Sequence, residues 1–232
     1  MAQDVRVLCR GTDGLRRTPR NQATRRAGRR RSFGVLVLLV AVVLVGAATA
    51  DAQCTAPACP AADCFVSDLT GTDGAGCCTA LGGCKTIQGG INDAVAGDVI
   101  DVAAGTYTEA AAGPLTINKT LTLCGAQDGV DARTRIGLES VIADPQGTLV
   151  TASNVVVNGF TIQDSTTAAF TGYGLAMGVG TTGTQVLANI IQDNIAGIGL
   201  ANTGTTQVLI CQNLIQNNNE PGGASGTGIY TD

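Results

Sequence analysis

A short repeat near the C-terminus constrains the fold of this chain more than any other feature. The segment TIQDS at 161–165 returns as IIQDN at 190–194 and as LIQNN at 214–218. Its central isoleucines are Ile162, Ile191 and Ile215, whose numbers differ by 29 and then by 24. Strands this short cannot enclose a core alone, so each unit must stack on its neighbours. The sequence therefore predicts an array of stacked β-strand units.

Two further repeats accompany the first one. GYGLA at 172–176 returns as GIGLA at 197–201 and as GTGIY at 226–230, with steps in residue number of 25 and then 29. TQVL at 184–187 returns at 206–209, a step of 22. None of these segments has the apolar periodicity of a helix. Equivalent strands are therefore expected to lie parallel, about 4.8 Å apart, with like residues above like.

The chain upstream of these repeats has a definite order of segments. A helical segment at 86–95, a strand, the motif GTYTE at 105–109 and an alternating strand at 115–125 follow one another. This order and the repeats resemble the pectin-lyase-like superfamily over about residues 86–232. The resemblance implies an all-β fold, a right-handed parallel β-helix of about five to six coils with a short N-terminal capping helix. It does not specify an activity, because many unrelated functions share that scaffold.

Two details of that region lead to local predictions. Ile87, Ile91 and Val95 follow one another at the i, i+4, i+8 spacing, which predicts a single apolar stripe on the helix. The GTYTE motif also resembles the first motif of pectin methylesterases, but the later catalytic motifs of that family are not found in this sequence. Its structural interpretation is that Tyr107 packs inward and Glu109 faces solvent.

The N-terminal residues have the features of a signal peptide. Ten of the fourteen basic residues lie in the first 31 positions, eleven apolar residues follow at 35–45, and small residues come next. This order predicts cleavage after Ala50 or Ala52. A membrane anchor is the alternative, although about 17 apolar residues are needed to span a bilayer. The expected domains are a signal peptide at 1–52, a Cys-rich segment at 53–85 and the β-helix at 86–232.

Removal of the signal peptide changes the charge of the protein. Residues 53–232 keep four basic and fifteen acidic side chains, a net charge of −11. Such a surface repels phosphate groups, which excludes nucleic acid and anionic membranes as partners. We expect a secreted or cell-surface protein with no membrane insertion after signal cleavage.

Cysteines are concentrated at the start of this mature chain. Large apolar side chains are scarce there, so disulfides are expected to order the segment in an exported protein. Zinc is the alternative, although the chain has no C-x2-C pair and no histidine. Cys124 and Cys211 lie in strand-like runs and are expected to be small buried thiols. The disulfide candidates, whose pairing the sequence leaves open, are Cys54, Cys59, Cys64, Cys77, Cys78 and Cys84.

Three oxygen-bearing side chains share one position of the first repeat. Carboxylate and amide oxygens on adjacent coils are the ligands that Ca²⁺ prefers. The alternative is a solvated turn whose side chains hydrogen-bond to the backbone. No other cofactor is expected. The candidate calcium ligands are Asp164, Asp193 and Asn217.

Amides and tyrosines are the candidate ligand-binding groups. Stacked amides can hydrogen-bond to one another or to sugar hydroxyls, and Asn194 with Asn218 forms a further amide row. Phe160 is expected to point inward. The candidates for ligand binding are Gln163, Gln192, Gln216, Tyr173 and Tyr230.

These features predict a β-helix repeat protein that binds polysaccharide or another cell-surface component, or acts as an adhesin-like surface scaffold. The alternative is a carbohydrate-active enzyme, either a calcium-dependent polysaccharide lyase or a pectinesterase-like protein. No catalytic residue is assigned, because the basic residues after position 52 all precede Ser140. The sequence stops at Asp232, directly after the third Gly-x-Gly segment. We therefore expect either a longer protein or end-to-end association through an uncovered coil.

Overall fold

Short strands make up most of the regular structure of the chain. The computed structural model describes residues 6–7, 54–109, 113–167 and 172–231. Within these residues the helices are a 3-10 turn at Cys77–Thr79 and α1 (Ile87–Asp93). In chain order the strands are β1 (Arg6–Val7), β2 (Cys64–Val66), β3 (Val99–Val102), β4 (Gly105–Tyr107), β5 (Leu115–Ile117), β6 (Thr122–Cys124), β7 (Ser140–Ala143), β8 (Thr148–Val150), β9 (Val156–Asn158), β10 (Phe160–Gln163), β11 (Tyr173–Met177), β12 (Gln185–Leu187), β13 (Ile190–Gln192), β14 (Ala196–Leu200), β15 (Leu209–Cys211), β16 (Leu214–Gln216) and β17 (Ile229–Thr231).

These strands form three parallel sheets. The first sheet has the order β1-β15-β12-β9-β6-β3-β2, the second β16-β13-β10-β7-β4, and the third β17-β14-β11-β8-β5. From β3 onward, successive strands enter the three sheets in turn. Neighbours within a sheet are therefore separated by one circuit of the chain. This all-β arrangement fits a parallel β-helix, in agreement with the sequence-based prediction.

The isoleucine repeat has the register that the sequence predicts. Ile162 pairs with Ile191, and Ile191 pairs with Ile215, in the second sheet. The first two side chains are buried, and the third packs against the same core. Phe160 is also fully buried, as predicted. Alternate residues of a strand face opposite sides of the sheet. The residues next to these inward-facing isoleucines therefore face outward.

The other two repeats are shifted by two positions from the predicted alignment. Gln185 pairs with Leu209, a step of 24 rather than 22. Leu175 pairs with Ile198, a step of 23 rather than 25. Ile198 in turn pairs with Ile229, a step of 31 rather than 29. A shift of two keeps every side chain on its own face, so the apolar pattern is equally compatible with both registers.

Helix α1 ends earlier than the sequence suggests. Ile87 and Ile91 are fully buried, but Ala94 is already extended and Val95 is 66% exposed. Val95 therefore lies outside the apolar stripe, because the chain leaves the helix at Ala94 on its way to β3. The helix packs against β2, β3 and β5.

The Cys-rich segment is part of the stack rather than an appendage beside it. Strand β2 pairs with β3 and extends the first sheet. Residues 54–59, here called the N-terminal strap, cross several coils: Ala56 N–H donates to Gln212 Oε1 at 2.7 Å, and Asn158 Nδ2 donates to the carbonyl of Pro57 at 2.8 Å. The strap is therefore held at separate coils of the stack.

Disulfides hold both ends of this strap. Cys54 is bonded to Cys211 and Cys59 to Cys124. The expectation that Cys124 and Cys211 are free buried thiols is therefore wrong. Both lie in one row of the first sheet, which runs from Cys124 through Asn158 and Leu187 to Cys211, three coils later. A segment running along that row meets both of them.

Most of the predicted signal peptide lies outside the described residues. Within it, β1 pairs with β15 at the edge of the first sheet. Across the described part of the chain, no helix combines the length and hydropathy needed to cross a membrane.

Candidate functional site

The candidate calcium row coincides with a row of left-handed turns. Asp164, Asp193 and Asn217 have φ angles of 66°, 55° and 52°, and each directly follows a strand of the second sheet. Asp and Asn enter this conformation more readily than most residues, because their short polar side chains can hydrogen-bond locally. The residue types at this position therefore have a conformational cause.

The side chains of this row are compatible with a hydrated surface ion rather than an enclosed one. Asp164 and Asn217 are exposed and Asp193 is half-buried. Asp164 Oδ2 also accepts a hydrogen bond from Gln163 Nε2 at 3.0 Å. Ca²⁺ takes about six to eight oxygen ligands, so water would have to supply most of them. Calcium at this row stays a prediction.

Buried amides lie directly behind these turns. Asn194 Nδ2 donates to Asn218 Oδ1 and to the carbonyl of Gln192, both at 2.8 Å, and to the carbonyl of Ile162 at 3.2 Å. Its Oδ1 accepts from Ser165 N–H at 2.9 Å. The predicted amide row is thus a buried ladder that satisfies turn backbone from one coil to the next.

A second amide ladder was missed by the sequence analysis. Asn189 Oδ1 accepts from Phe160 N–H at 2.9 Å, and Asn213 Oδ1 accepts from Asn189 N–H at 2.8 Å. Asn189 and Asn213 follow Ala188 and Gln212, which have φ angles of 49° and 55°. The sequence does contain a signal for this ladder. In the last two copies of the isoleucine repeat, an Asn lies two residues before the central isoleucine: Asn189 before Ile191, and Asn213 before Ile215.

The predicted glutamine row forms a ladder on the outer face of the second sheet. Gln216 Nε2 donates to Gln192 Oε1 at 3.0 Å, and Gln192 Nε2 donates to Gln163 Oε1 at 3.4 Å. A carboxamide carries two N–H donors, and the ladder uses one donor of each donating residue. The remaining polar valences of the ladder can reach solvent or a ligand.

The predicted tyrosines pair on the outer side of the third sheet. The ring centroids of Tyr173 and Tyr230 are 5.9 Å apart, and the ring planes meet at 31°. Gly199 lets the Tyr173 ring lie against the sheet, because a Cβ there would be 2.5 Å from Tyr173 Cδ2. The tyrosines and the glutamines therefore lie on different sheets.

Three of the four basic residues after position 52 have structural contacts. Lys119 Nζ donates to the carbonyls of Ile91 and Asn92 at 2.9 Å and of Ala94 at 2.6 Å, at the C-terminus of α1.

The two arginines pair with nearby acids. Arg133 pairs with Asp131 at 2.5 Å. Arg135, whose side chain is buried, pairs with Glu139 at 2.7 Å and donates to the carbonyls of Ala188 and Phe160. Lys119 and Arg135 therefore link separate segments of the fold, and Arg133 pairs with Asp131 within one turn.

Glu109 of the GTYTE motif was expected to face solvent, but its side chain instead contacts α1. Its carboxylate accepts from the N–H groups of Ile87 at 2.7 Å and Gln88 at 3.2 Å, at the N-terminus of α1. Burial raises the pKa of Glu109, and these two hydrogen bonds oppose that effect. The first turn of a helix has N–H groups without intrahelical partners, so Glu109 satisfies a need that its sequence context does not show.

Tyr107 of the same motif packs inward, as predicted. It is buried, and its hydroxyl donates to the carbonyl of Ala103 at 2.9 Å. Burial raises the pKa of Tyr107 to about 12. The motif therefore has a packing role and a helix-capping role in this chain.

All six predicted disulfide cysteines are oxidised. Besides the two strap disulfides, Cys64 is bonded to Cys78 and Cys77 to Cys84. These two bonds lie next to each other below α1, where Cys78 Sγ contacts the carbonyl of Gly90 at 3.6 Å.

Comparison with known proteins adds no relative. The chain matches no protein-family model. It also matches no curated protein and no solved structure.

Proposed function

We propose that this protein is an exported β-helix that binds neutral polysaccharide, or a similar cell-surface component, on the outer side of its third sheet. The observation that supports this most directly is the pair of adjacent rings of Tyr173 and Tyr230. Tyr230 is 40% exposed, and Tyr173 is half-buried against the sheet. Tyrosine combines an apolar ring with a polar tip, which suits a ligand that has both apolar and hydroxyl surfaces.

The strand surface around the tyrosines adds to this platform. The outward row of the third sheet has small or apolar residues for three coils before Tyr230. A sugar ring has an apolar C–H face that could lie on such a surface while its hydroxyls stay in water. The row runs Thr116, Leu149, Ala176, Gly199 and Tyr230.

The charge of the protein favours one class of polysaccharide over another. The mature chain has a net charge of −11, which disfavours uronic acid polymers without a bridging cation. The glutamine ladder on the neighbouring sheet offers uncharged hydrogen-bonding groups instead. Neutral polysaccharide is therefore the ligand that both surfaces suit.

The architecture and location belong to the same proposal. The stack is taken to be a right-handed solenoid of about five or six coils, similar to the pectin-lyase-like superfamily, with α1 covering its N-terminal end. Four disulfides favour an oxidising compartment, and this supports export.

Retention on neutral polysaccharide tests the proposal. In affinity electrophoresis through gels containing a neutral glucan or a galactomannan, we expect the protein to be retarded, and Tyr173→Ala and Tyr230→Ala each to weaken binding by at least about fivefold. Phe65→Ala is the matched control, because Phe65 is 39% exposed on β2, outside the third sheet. It should leave retention unchanged.

Two results would contradict the proposal. One is unchanged retention in a folded Tyr173→Ala/Tyr230→Ala variant. The other is release of unsaturated products from a uronic acid polymer in the presence of Ca²⁺, lost in Asp193→Asn, which would make the protein a calcium-dependent lyase. Circular dichroism of each variant shows whether a change in retention comes from binding or from unfolding, because a cross-strand aromatic pair also stabilises a sheet.

A further inference from the structure

The two local disulfides below α1 bring several potential metal ligands together. The Sγ atoms of Cys77, Cys78 and Cys84 and a carboxylate oxygen of Asp93 all lie within 4.8 Å of one another. Sγ of Cys78 and Sγ of Cys84, which belong to different disulfides, are 3.9 Å apart. These residues come from the 3-10 turn, the bridge before α1 and the last turn of α1 itself.

This spacing suits a tetrahedral thiolate site. With Zn–S bonds of about 2.3 Å, tetrahedral geometry places ligand atoms about 3.8 Å apart. The Cys78 and Cys84 sulfurs are already near that separation. Reduction would let the sulfurs of Cys77 and Cys84 move apart to van der Waals contact, which is the separation a shared metal ion requires.

Asp93 is oriented toward this cluster by the backbone of the 3-10 turn. One of its carboxylate oxygens accepts from Gly76 N–H at 2.7 Å and the other from Cys78 N–H at 2.8 Å. An ionised carboxylate has about four lone-pair sites, so two hydrogen bonds leave room for a metal bond. Backbone donors that hold a ligating carboxylate are a common outer shell of metal sites.

The surroundings restrict water but allow entry from one side. Cys77 and Cys84 are buried, whereas Cys78 and Asp93 are half-buried. Gly90 of α1 permits close packing of the helix on β2, since a Cβ at that position would lie 2.8 Å from Val66 Cγ2. An ion could therefore approach between Cys78 and Asp93 and lose most of its water on binding.

We propose that, once the Cys64–Cys78 and Cys77–Cys84 disulfides are reduced, the thiolates of Cys77, Cys78 and Cys84 and the Asp93 carboxylate bind one Zn²⁺ ion. Zn²⁺ favours tetrahedral sulfur-rich sites and needs no histidine. The same segment then has two alternative cross-links, one covalent and one metallic. Cys64 remains a buried thiol in β2.

The redox step balances with a phosphine as reductant. Each phosphine breaks one S–S bond, takes an oxygen atom from water to become a phosphine oxide, and leaves two thiols. Zn²⁺ then displaces the protons of three thiols and forms three Zn–S bonds and one Zn–O bond. A phosphine suits the experiment because it adds no competing thiol.

Cobalt substitution in the full-length reduced chain tests the site. We expect Co²⁺ to give the visible bands of a tetrahedral thiolate complex at one ion per chain, and Zn²⁺ to displace it, as its higher position in the stability series requires. Cys77→Ser should abolish the bands. Asp93→Asn keeps every cysteine, and should weaken Co²⁺ binding by at least about tenfold.

Two matched variants separate this ligand set from other thiols. Cys64→Ser and Cys59→Ser/Cys124→Ser should each keep the bands and the affinity within about twofold. Absence of thiolate bands in the reduced wild type would overturn the proposal. Equal loss in Cys64→Ser and Cys77→Ser would overturn the assignment in favour of a four-sulfur site, and unchanged affinity in Asp93→Asn would remove the carboxylate from it.

Discussion

The coils from β9 to β17 and the region around α1 are stabilised by contacts of different kinds. In the coils, the same amide contacts recur from circuit to circuit, with Asn194 and Asn218 behind one row of turns and Asn189 and Asn213 behind another. Around α1, each contact occurs once: a lysine at one helix end, a carboxylate at the other, and disulfides beneath it.

This difference indicates how each region would respond to damage. In a ladder, each amide side chain hydrogen-bonds to groups on a neighbouring coil. Losing one member therefore leaves polar groups on two coils without partners. A single covalent or ionic contact serves only the elements that it joins. The coils from β9 to β17 should therefore be sensitive to the loss of a buried amide, whereas the loss of a cross-link should affect only the elements that it joins.

Removing the longest cross-link should have the largest effect. Cys54 and Cys211 are 157 residues apart in sequence, and their disulfide fixes the strap to the far coils. We expect Cys54→Ser/Cys211→Ser to lower the free energy of unfolding by about 2–5 kcal/mol, measured by urea titration with circular dichroism.

The matched control is Cys59→Ser/Cys124→Ser at the other end of the strap. This pair is separated by 65 residues, so chain entropy predicts a loss about 0.8 kcal/mol smaller. If neither double variant cost as much as about 1 kcal/mol, the strap would not be a major source of stability.

A break in the buried ladder should cost somewhat less. Asn194→Ala removes the donor to Asn218 and the acceptor for Ser165 N–H, both in the interior. We expect the free energy of unfolding to fall by about 2–4 kcal/mol, because buried polar groups lose their partners.

Gln192→Ala is the control for that variant, since it interrupts the ladder on the solvent side. Its effect should stay within about 0.5 kcal/mol. Equal losses in the two variants would show that burial does not distinguish the two ladders.

A smaller effect is expected at the C-terminal end of α1. Lys119→Met keeps an apolar chain of similar length but removes the ammonium group from three helix carbonyls. A cation in this position stabilises a helix by about 1–2 kcal/mol when partly buried. Hydrogen exchange should quicken in α1 and remain unchanged in β13, whereas Lys85→Met, at an exposed site, should alter neither.

The sequence revealed the stacked strands because their periodicity and punctuation are local properties. It did not reveal the register of two repeats, since a shift of two preserves the inward and outward faces. What separates the registers is turn geometry, with the left-handed residue at Asp164 or Asp193 marking an equivalent point on each coil. An alignment anchored on those turns gives the right register for the first and second sheets, whose strands are both offset by 29 and then 24 residues, but not for the third, where Leu175 pairs with Ile198.

The contacts around α1 were missed for another reason. Glu109 meets Ile87, and Lys119 meets Ala94, only after the chain has completed a coil. The disulfide between Cys54 and Cys211 spans almost the whole described stack in sequence. No short-range pattern encodes such pairs. The candidate ligand residues of the isoleucine repeat, in contrast, can be recognised in the sequence because the same residue types recur at one position of the repeat.

The titration of Glu109 provides the smallest and most specific test of the contrast. Burial raises its pKa in the folded protein, so the folded state holds this proton more tightly than the unfolded chain does. Its contribution to stability is therefore complete below the unfolded pKa and is lost as pH rises through the folded pKa. Glu109→Gln should remove this loss, which amounts to about 1.4 kcal/mol for each unit of the raised pKa.

Urea unfolding from about pH 4 to about pH 7 measures that difference. The stability of the wild type relative to Glu109→Gln should decline across this range. Asp93→Asn is the control of opposite sign: hydrogen bonds from the N–H groups of Cys78 and Gly76 lower the pKa of Asp93, so its contribution is present at higher pH and lost on acidification. Because the ordinary pKa of Asp93 is 3.8 and the folded value is lower, its slope is expected in a separate titration below about pH 4, where the stability of the wild type relative to Asp93→Asn should rise with pH. If the stability differences of the two variants changed with pH in the same direction, the carboxyl groups of Glu109 and Asp93 would not act as independent contacts of α1.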